Sequence, residues 1–195
     1  MRKQNRNAKD KIKKCATQIF FDMPYNEASM RDVASKCNMT VGNIYRYYDN
    51  KELLFDEIVK KCYENIIKVI KVKEFVQKYV KAKIGVSEKN IYKNTRFRSH
   101  LIDYIVKLIN ENATELFILL NNSSGSKYEN IKNQVFDMAK ESIMEMINQI
   151  DEDRAEIYAF TAISTLSFIL KKDIQNKEKL ESNTKLFFIK FFASF

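Results

Sequence analysis

Residues 29–48, SMRDVASKCNMTVGNIYRYY, decide the fold. Ser29 suits a helix N-cap, because its hydroxyl oxygen can accept from an orphan amide of the first turn. Asp32 stands three residues on as its capping-box partner. Val33 and Ala34 supply an apolar face. This helix ends near Cys37-Asn38, where asparagine tolerates the left-handed conformation that helix ends use. Thr40 can cap a second helix, over 40–48, after a turn of only three or four residues. Two short helices joined so tightly match the helix-turn-helix pattern, in which the second helix enters the DNA major groove. At about 100° per residue, Val41, Ile44 and Tyr48 share one side of that helix, with Tyr45 at its edge. Gly42, Asn43, Arg46 and Tyr47 fall on the other side. Arginine can bond guanine bidentately, asparagine can bond adenine, and glycine lets a backbone approach closely. Tyrosine hydroxyls can bond phosphate oxygens. Lys51 opens the next helix one turn beyond Tyr47. By spacing alone, the same residues equally describe a helical hairpin with a solvated polar face.

Outward from this stretch the pattern stays helical. Residues 8–22 place Ile12, Cys15, Ala16, Ile19 and Phe20 on one face, and Pro24 ends that helix. After the cap signal Asp49-Asn50-Lys51-Glu52, a long helix runs to about residue 73, with Leu53, Leu54, Ile58, Cys62, Ile66 and Val69 or Ile70 inward. Periodicity continues to 84, Gly85 breaks it, and Ser87-Glu88 reopens a short helix. Residues 95–121 read as one helix kinked near 110–112. Asn121-Asn122-Ser123-Ser124-Gly125 is the clearest loop, and Ser126 is expected to cap a helix to about 150. Asp151-Glu152-Asp153 caps a helix over 154–172, and Asn176 one over 177–194. No segment alternates like a strand between turns. An all-α fold follows, and with three glycines and one proline in 195 residues a turn-rich β architecture is excluded.

Charge is uneven along the chain. Residues 1–73 hold 16 of the 34 Lys and Arg but 9 of the 25 Asp and Glu, so most of the net +9 lies in the first third. A Lys-rich composition alone would act everywhere, so the asymmetry favours a polyanion partner at this end. Cys15, Cys37 and Cys62 are odd in number, far apart and in no CxxC pair, and read as reduced packing residues rather than a disulfide or zinc framework. No nucleophile–base pair, Gly-rich phosphate loop or metal cluster is evident, so neither an enzyme nor a cofactor is expected. No apolar run reaches the roughly 18 residues of a membrane helix, and a cytoplasmic protein is expected.

Residues 11–58, KIKKCATQIFFDMPYNEASMRDVASKCNMTVGNIYRYYDNKELLFDEI, resemble the N-terminal domain of the TetR family of transcriptional regulators. The likeness is carried by Ile12, Ala16 and Phe20, by Ser29, Val33 and Ala34, and by Met39, Thr40, Gly42, Ile44, Tyr45, Tyr48, Lys51 and Leu54. Three residues depart from the family pattern. Pro24 and Asn38 replace turn glycines, and Tyr48 replaces a phenylalanine, with its hydroxyl expected near solvent. The resemblance implies a helix-turn-helix domain over 1–50 and a helical ligand-binding and dimerisation domain over 51–195. It implies DNA contacts by Ser29, Arg31, Thr40, Val41, Gly42, Asn43, Tyr45, Arg46, Tyr47 and Lys51, with Ser29, Arg31, Tyr47 and Lys51 at phosphates. It also implies a small-molecule inducer of unknown identity. Phe97, His100, Tyr104, Phe117, Tyr128 and Phe136 are candidates for its pocket, although each residue type is equally at home in a core.

Residues 180–195 are apolar on more than one face, too much for a monomer's surface. A membrane-surface helix would need more basic residues than Lys185 and Lys190. In the family the last two helices pair with their copies, which implies a homodimer through Tyr158, Ala162, Ile163, Leu166, Phe187, Phe188 and Phe191. The expectation is a dimeric repressor on a palindromic operator, released by ligand. The alternative is a helical interaction protein without sequence-specific DNA binding.

Overall fold

A computed structural model describes residues 2–83, 95–147 and 149–193, with side chains for 7–71, 102–147, 149–191 and 193. The described residues form helices and no strand. These are α1 (Arg2–Asp22), α2 (Met30–Cys37), α3 (Val41–Tyr45), α4 (Lys51–Lys83), α5 (Thr95–Glu111), α6 (Ala113–Asn121), α7 (Ile131–Met146), α8 (Glu152–Asp173) and α9 (Lys177–Ala193). The all-α expectation holds. No described helix is long and apolar enough to cross a membrane. The chain divides into two compact units, residues 1–64 with 114–131, and residues 65–113 with 132–195.

The first unit is built on α1, whose expected apolar face is buried at Ile12, Ala16, Ile19 and Phe20 and half-buried at Cys15. α2 packs on it through Val33, Ala34 and Cys37, and α3 adds Ile44. Leu54, Phe55, Ile58, Val59 and Cys62 of α4 and Leu116–Leu120 of α6 complete the core. Aromatic rings knit these elements together. Phe55 meets Phe20 edge-on at 4.9 Å and Tyr25 at 4.8 Å, and Phe21 meets Phe117 at 4.5 Å. Such pairs contribute about 0.5–1.5 kcal/mol each beyond their buried area.

In the second unit α9 packs on α5 and α8. Ile143, Ala155 and Ala159 form a buried cluster with Phe136, Ala139, Met146, Ile147, Ile150 and Phe191 against it. Asp173, at the end of α8, is buried and accepts from Asn183 Nδ2 at 2.7 Å, with Lys179 at 3.5 Å.

Several boundaries differ from the sequence reading, each for a local reason. α1 begins at Arg2, before the apolar pattern starts. α3 is shorter than expected, although the turn continues as Tyr47 and Tyr48 amides donate to the Ile44 carbonyl. α4 runs past residue 73, since no Gly or Pro lies between 51 and 83. α5 and α6 are separate, because the Asn112 side chain donates to the Leu108 carbonyl and competes with the helix ladder. Ser126 caps nothing: its hydroxyl donates to the Ser123 carbonyl and accepts from Tyr128, so turns occupy 127–130 and α7 starts at Ile131. Leu53, expected inward, is exposed, and Phe55 and Val59 take the core positions. The break at Gly85 and the helix at Ser87-Glu88 lie outside the described residues.

Candidate nucleic-acid interface

Local side chains set the aim of α3. Ser29 sits in extended backbone and accepts from the Asp32 amide at 3.2 Å, while the Asp32 carboxylate accepts from the Ser29 amide at 2.8 Å. The Ser29 hydroxyl also donates to that carboxylate at 2.5 Å, and this bond, then the one from the Ser29 amide, holds the Asp32 carboxyl below the usual carboxylate range. Asn38 closes α2 at φ 52°, ψ 49°, where a β-branched residue would be strained. Thr40 Oγ1 accepts from the Asn43 amide at 3.3 Å and starts α3.

From this frame Arg31, Thr40, Gly42, Asn43, Tyr45 and Arg46 are exposed, and Ser29, Val41 and Tyr47 are half-buried. Ile44 and Tyr48 point the other way, at 0% and 4% exposure. A Cβ built on Gly42 would meet nothing within 4 Å, so the fold does not require glycine there and its backbone lies open to solvent. The Tyr48 hydroxyl, expected near solvent, is instead covered. Burial, and then the nearby Glu57, raise its pKa.

Lys51 is placed differently from the expected phosphate clamp. Its ammonium donates to the carbonyls of Tyr25 at 2.7 Å and Ala28 at 2.9 Å, and lies 4.1 Å from the Tyr25 ring centre. Burial lowers its pKa. The α1–α2 turn leaves those carbonyls without helical partners, and a half-buried cation satisfies both.

Sequence reasoning missed the far side of this turn. The Asn122 side chain donates to the carbonyls of Phe20 at 2.9 Å and Phe21 at 2.8 Å, capping the end of α1. Its own carbonyl accepts from Tyr25 at 2.8 Å, and that of Ser124 accepts from Asn26 at 3.2 Å. Gly125 has φ 78°, and a Cβ there would stand 3.0 Å from Asn26 Cβ, so this close approach needs glycine. Tyr128 hydroxyl donates to Asp56, and Lys127 pairs with it at 2.6 Å. Burial raises the Asp56 pKa, but the hydrogen bonds from Lys127 and Tyr128 outweigh it and hold the carboxyl below its ordinary value. A groove of about 560 Å³ beside Tyr47 and Tyr48 is lined by Lys9, Lys60 and Lys61 but also Asp49, Asp56, Glu57 and Glu64. Its mixed charge does not favour a phosphate.

Of the pocket candidates, Phe117 and Tyr128 are core residues of the first unit, while Phe136 is partly buried and Tyr104 exposed in the second. Phe97 and His100 lie outside the residues with described side chains. Among the interface candidates, Ile163 is buried within its own unit; Ala162, Leu166, Phe187, Phe188 and Phe191 are half-buried, and Tyr158 is exposed. Ile157, Phe160 and Phe168 on α8 and Leu186 and Ile189 on α9 are more exposed than these. Their spacings of three or eight residues could have revealed each stripe.

Residues 12–58 match the model of the bacterial regulatory proteins, tetR family. No match to a curated protein is found. Among solved structures, a Syntrophomonas wolfei protein described as a TetR-family transcriptional regulator is similar at TM-score 0.50 and 15% identity, over 97% of this chain and 96% of that one. NalD, the secondary repressor of the MexAB-OprM multidrug efflux pump in Pseudomonas aeruginosa, is similar at TM-score 0.50 and 12% identity, over 97% and 96%. A Clostridium perfringens protein described as a fatty acid metabolism regulator gives TM-score 0.50 and 16% identity, over 92% and 97%. At such identities these likenesses speak for the fold, whereas the family model speaks for the residues that carry the helix-turn-helix. Residues 12–58, then, carry the N-terminal helix-turn-helix of the bacterial regulatory proteins of the tetR family.

Proposed function

We propose that the protein is a ligand-responsive transcriptional repressor, acting in the cytoplasm as a homodimer on a palindromic DNA operator, and not an enzyme. The observation that carries this reading is the outward face of α3. Gly42, Asn43, Tyr45 and Arg46 are exposed together on a helix whose inner face is fixed by Ile44 and Tyr48. Asn43 and Arg46 are assigned to base edges, Tyr45 and Thr40 to bases or nearby backbone, and Val41 to a thymine methyl. Ser29, Arg31 and Tyr47 are assigned to phosphates, with Ser29 acting from its cap. Lys51 supports the turn and is not assigned a phosphate.

Two heads are needed to read a palindrome. The exposed apolar residues of α8 and α9 give the second unit a surface suited to pairing with its copy. The inducer is assigned to the second unit, with Phe97, His100 and Tyr104 on α5 as its candidate residues. Release is a population shift: a ligand that binds the released state better by about 1–3 kcal/mol weakens operator binding roughly 5- to 150-fold.

Titration of selected and random duplexes at several salt concentrations tests the assignment. Arg46→Ala is expected to cost about 1–3 kcal/mol per contact and to relax preference at one base position of each half-site. Salt-independent binding, or equal affinity for all duplexes in the wild type, would favour the interaction-protein reading instead.

A further inference from the structure

We propose that Cys15 and Cys37 are an oxidation site, closing to a reversible disulfide that ties α1 to α2 inside the head. Sequence spacing hid this pair, since 22 residues and a turn separate the two thiols. In the structure the Cys37 thiol lies 3.9 Å from the Lys11 carbonyl, to which it donates. In an α-helix that carbonyl also accepts from the amide four residues on, which is that of Cys15. Cys37 Sγ therefore lies against the α1 turn that carries Cys15, and the Cys15 thiol is among the groups that raise its pKa. Neither is in a disulfide.

Their surroundings divide the work. Cys15 is half-buried, so a small oxidant can reach it, whereas Cys37 is fully covered. Burial, then the influence of the Cys15 thiol, push the Cys37 thiol up to about 12, so Cys37 is the resolving partner and not the first nucleophile. With hydrogen peroxide as oxidant, the Cys15 sulfur attacks one peroxide oxygen. The O–O bond breaks, leaving a sulfenic acid and one water. The Cys37 sulfur then attacks the Cys15 sulfur, the S–O bond breaks, and the Cys37 proton leaves with the hydroxyl as a second water. Two thiols lose two electrons, and peroxide gains them.

A disulfide needs its sulfurs about 2.05 Å apart, well inside the separation of two non-bonded thiols. Closing the bond pulls the last turn of α2 onto α1. Asn38 follows Cys37 directly and makes the left-handed turn that aims α3. Oxidation is therefore expected to re-aim α3 and weaken operator binding about tenfold or more. That consequence rests on the DNA-binding reading; the bond itself does not.

The experiment treats the native full-length protein with hydrogen peroxide, then measures intact mass and maps peptides without reduction. The expected product is lighter by two hydrogens, carries a peptide linking Cys15 to Cys37, leaves Cys62 open to alkylation after unfolding, and is reversed by dithiothreitol. Cys62 is an internal control, because it is also buried and pushed up to about 12 but by burial and Glu115, with no thiol beside it. In Cys37→Ser the oxidation is expected to stop at a Cys15 sulfenic acid that a dimedone probe traps, and Cys15→Ser is expected to show neither adduct nor link. Oxygen addition to the wild type without the linked peptide would overturn the proposal, as would a link that includes Cys62. Equal operator affinity for the linked and reduced forms would overturn the switch. A link that forms in a protein binding no duplex even when reduced would sink the DNA reading and leave the site standing.

Discussion

The two units differ in how completely each satisfies itself. In the first, helix ends are closed by the side chains of Ser29 and Thr40, by the left-handed backbone of Asn38, and across the chain by Asn122 and Lys51. In the second, apolar surface is left over. Of the ten large hydrophobic side chains most exposed among the described residues, eight belong to it, with Phe160 at 66%, Ile157 at 63% and Phe168 at 63%. The first unit's two, Tyr45 and Leu53, lie on or beside the candidate interface and groove. On the proposed function, a head that must hold one helix at a fixed aim needs its backbone groups satisfied internally, whereas a unit that pairs with a copy can leave part of its core for the partner to complete.

The largest expected effect attacks that contrast directly. Phe160→Asp places a carboxylate on an exposed stripe, so the protomer should keep its helix content and melting behaviour. Dimerisation should weaken by several kcal/mol, because a lone charge would be desolvated in the interface. Ile163→Asp, on the same helix but buried within its unit, should instead unfold the protomer. Sedimentation with circular dichroism separates the two. A wild type that sediments as a monomer, or a Phe160→Asp protein as dimeric as its parent, breaks the comparison.

Next in size is the Asn122 clamp. Asn122→Ala leaves the Phe20 and Phe21 carbonyls without their partner and should cost about 1–3 kcal/mol in urea unfolding. A loss under half a kcal/mol would mean water substitutes freely and the clamp is not structural.

Lys51→Met sharpens the role of the turn. It removes the ammonium bonded to Tyr25 and Ala28 while keeping the stem, and should cost about 1–2 kcal/mol of stability. The salt slope of operator binding should stay unchanged. A slope shallower by about one per half-site with unaltered stability would return Lys51 to the phosphates.

The smallest effect is electrostatic. Asp56 has a folded pKa held below its unfolded value near 3.9, so its contribution is present above that pH and lost as pH falls through the folded pKa. Asp56→Asn should lower stability at neutral pH, and its difference from wild type should shrink between roughly pH 5 and 3. A difference that stays constant across that range would show that Asp56 acts by packing rather than by charge.

These elements also mark how far the sequence could be read. Sequence alone determined the caps at Ser29, Thr40, Asp151 and Asn176 and the left-handed Asn38, because each joins residues no more than three or four positions apart. It also determined the inward face of α1 and the outward face of α3, since helical period sorts side chains without reference to anything distant. Tertiary structure decided the rest. Asn122 caps a helix about a hundred residues earlier in the chain, Lys51 turns back 23 to 26 residues, and Cys37 finds Cys15 22 residues away. Phe117 and Tyr128 could as well have lined a pocket by composition, and only packing made them core of the head. The physical reason is range: capping and periodicity are encoded within one or two turns, whereas a buried carbonyl, thiol or ring takes whichever partner the folded chain brings to it.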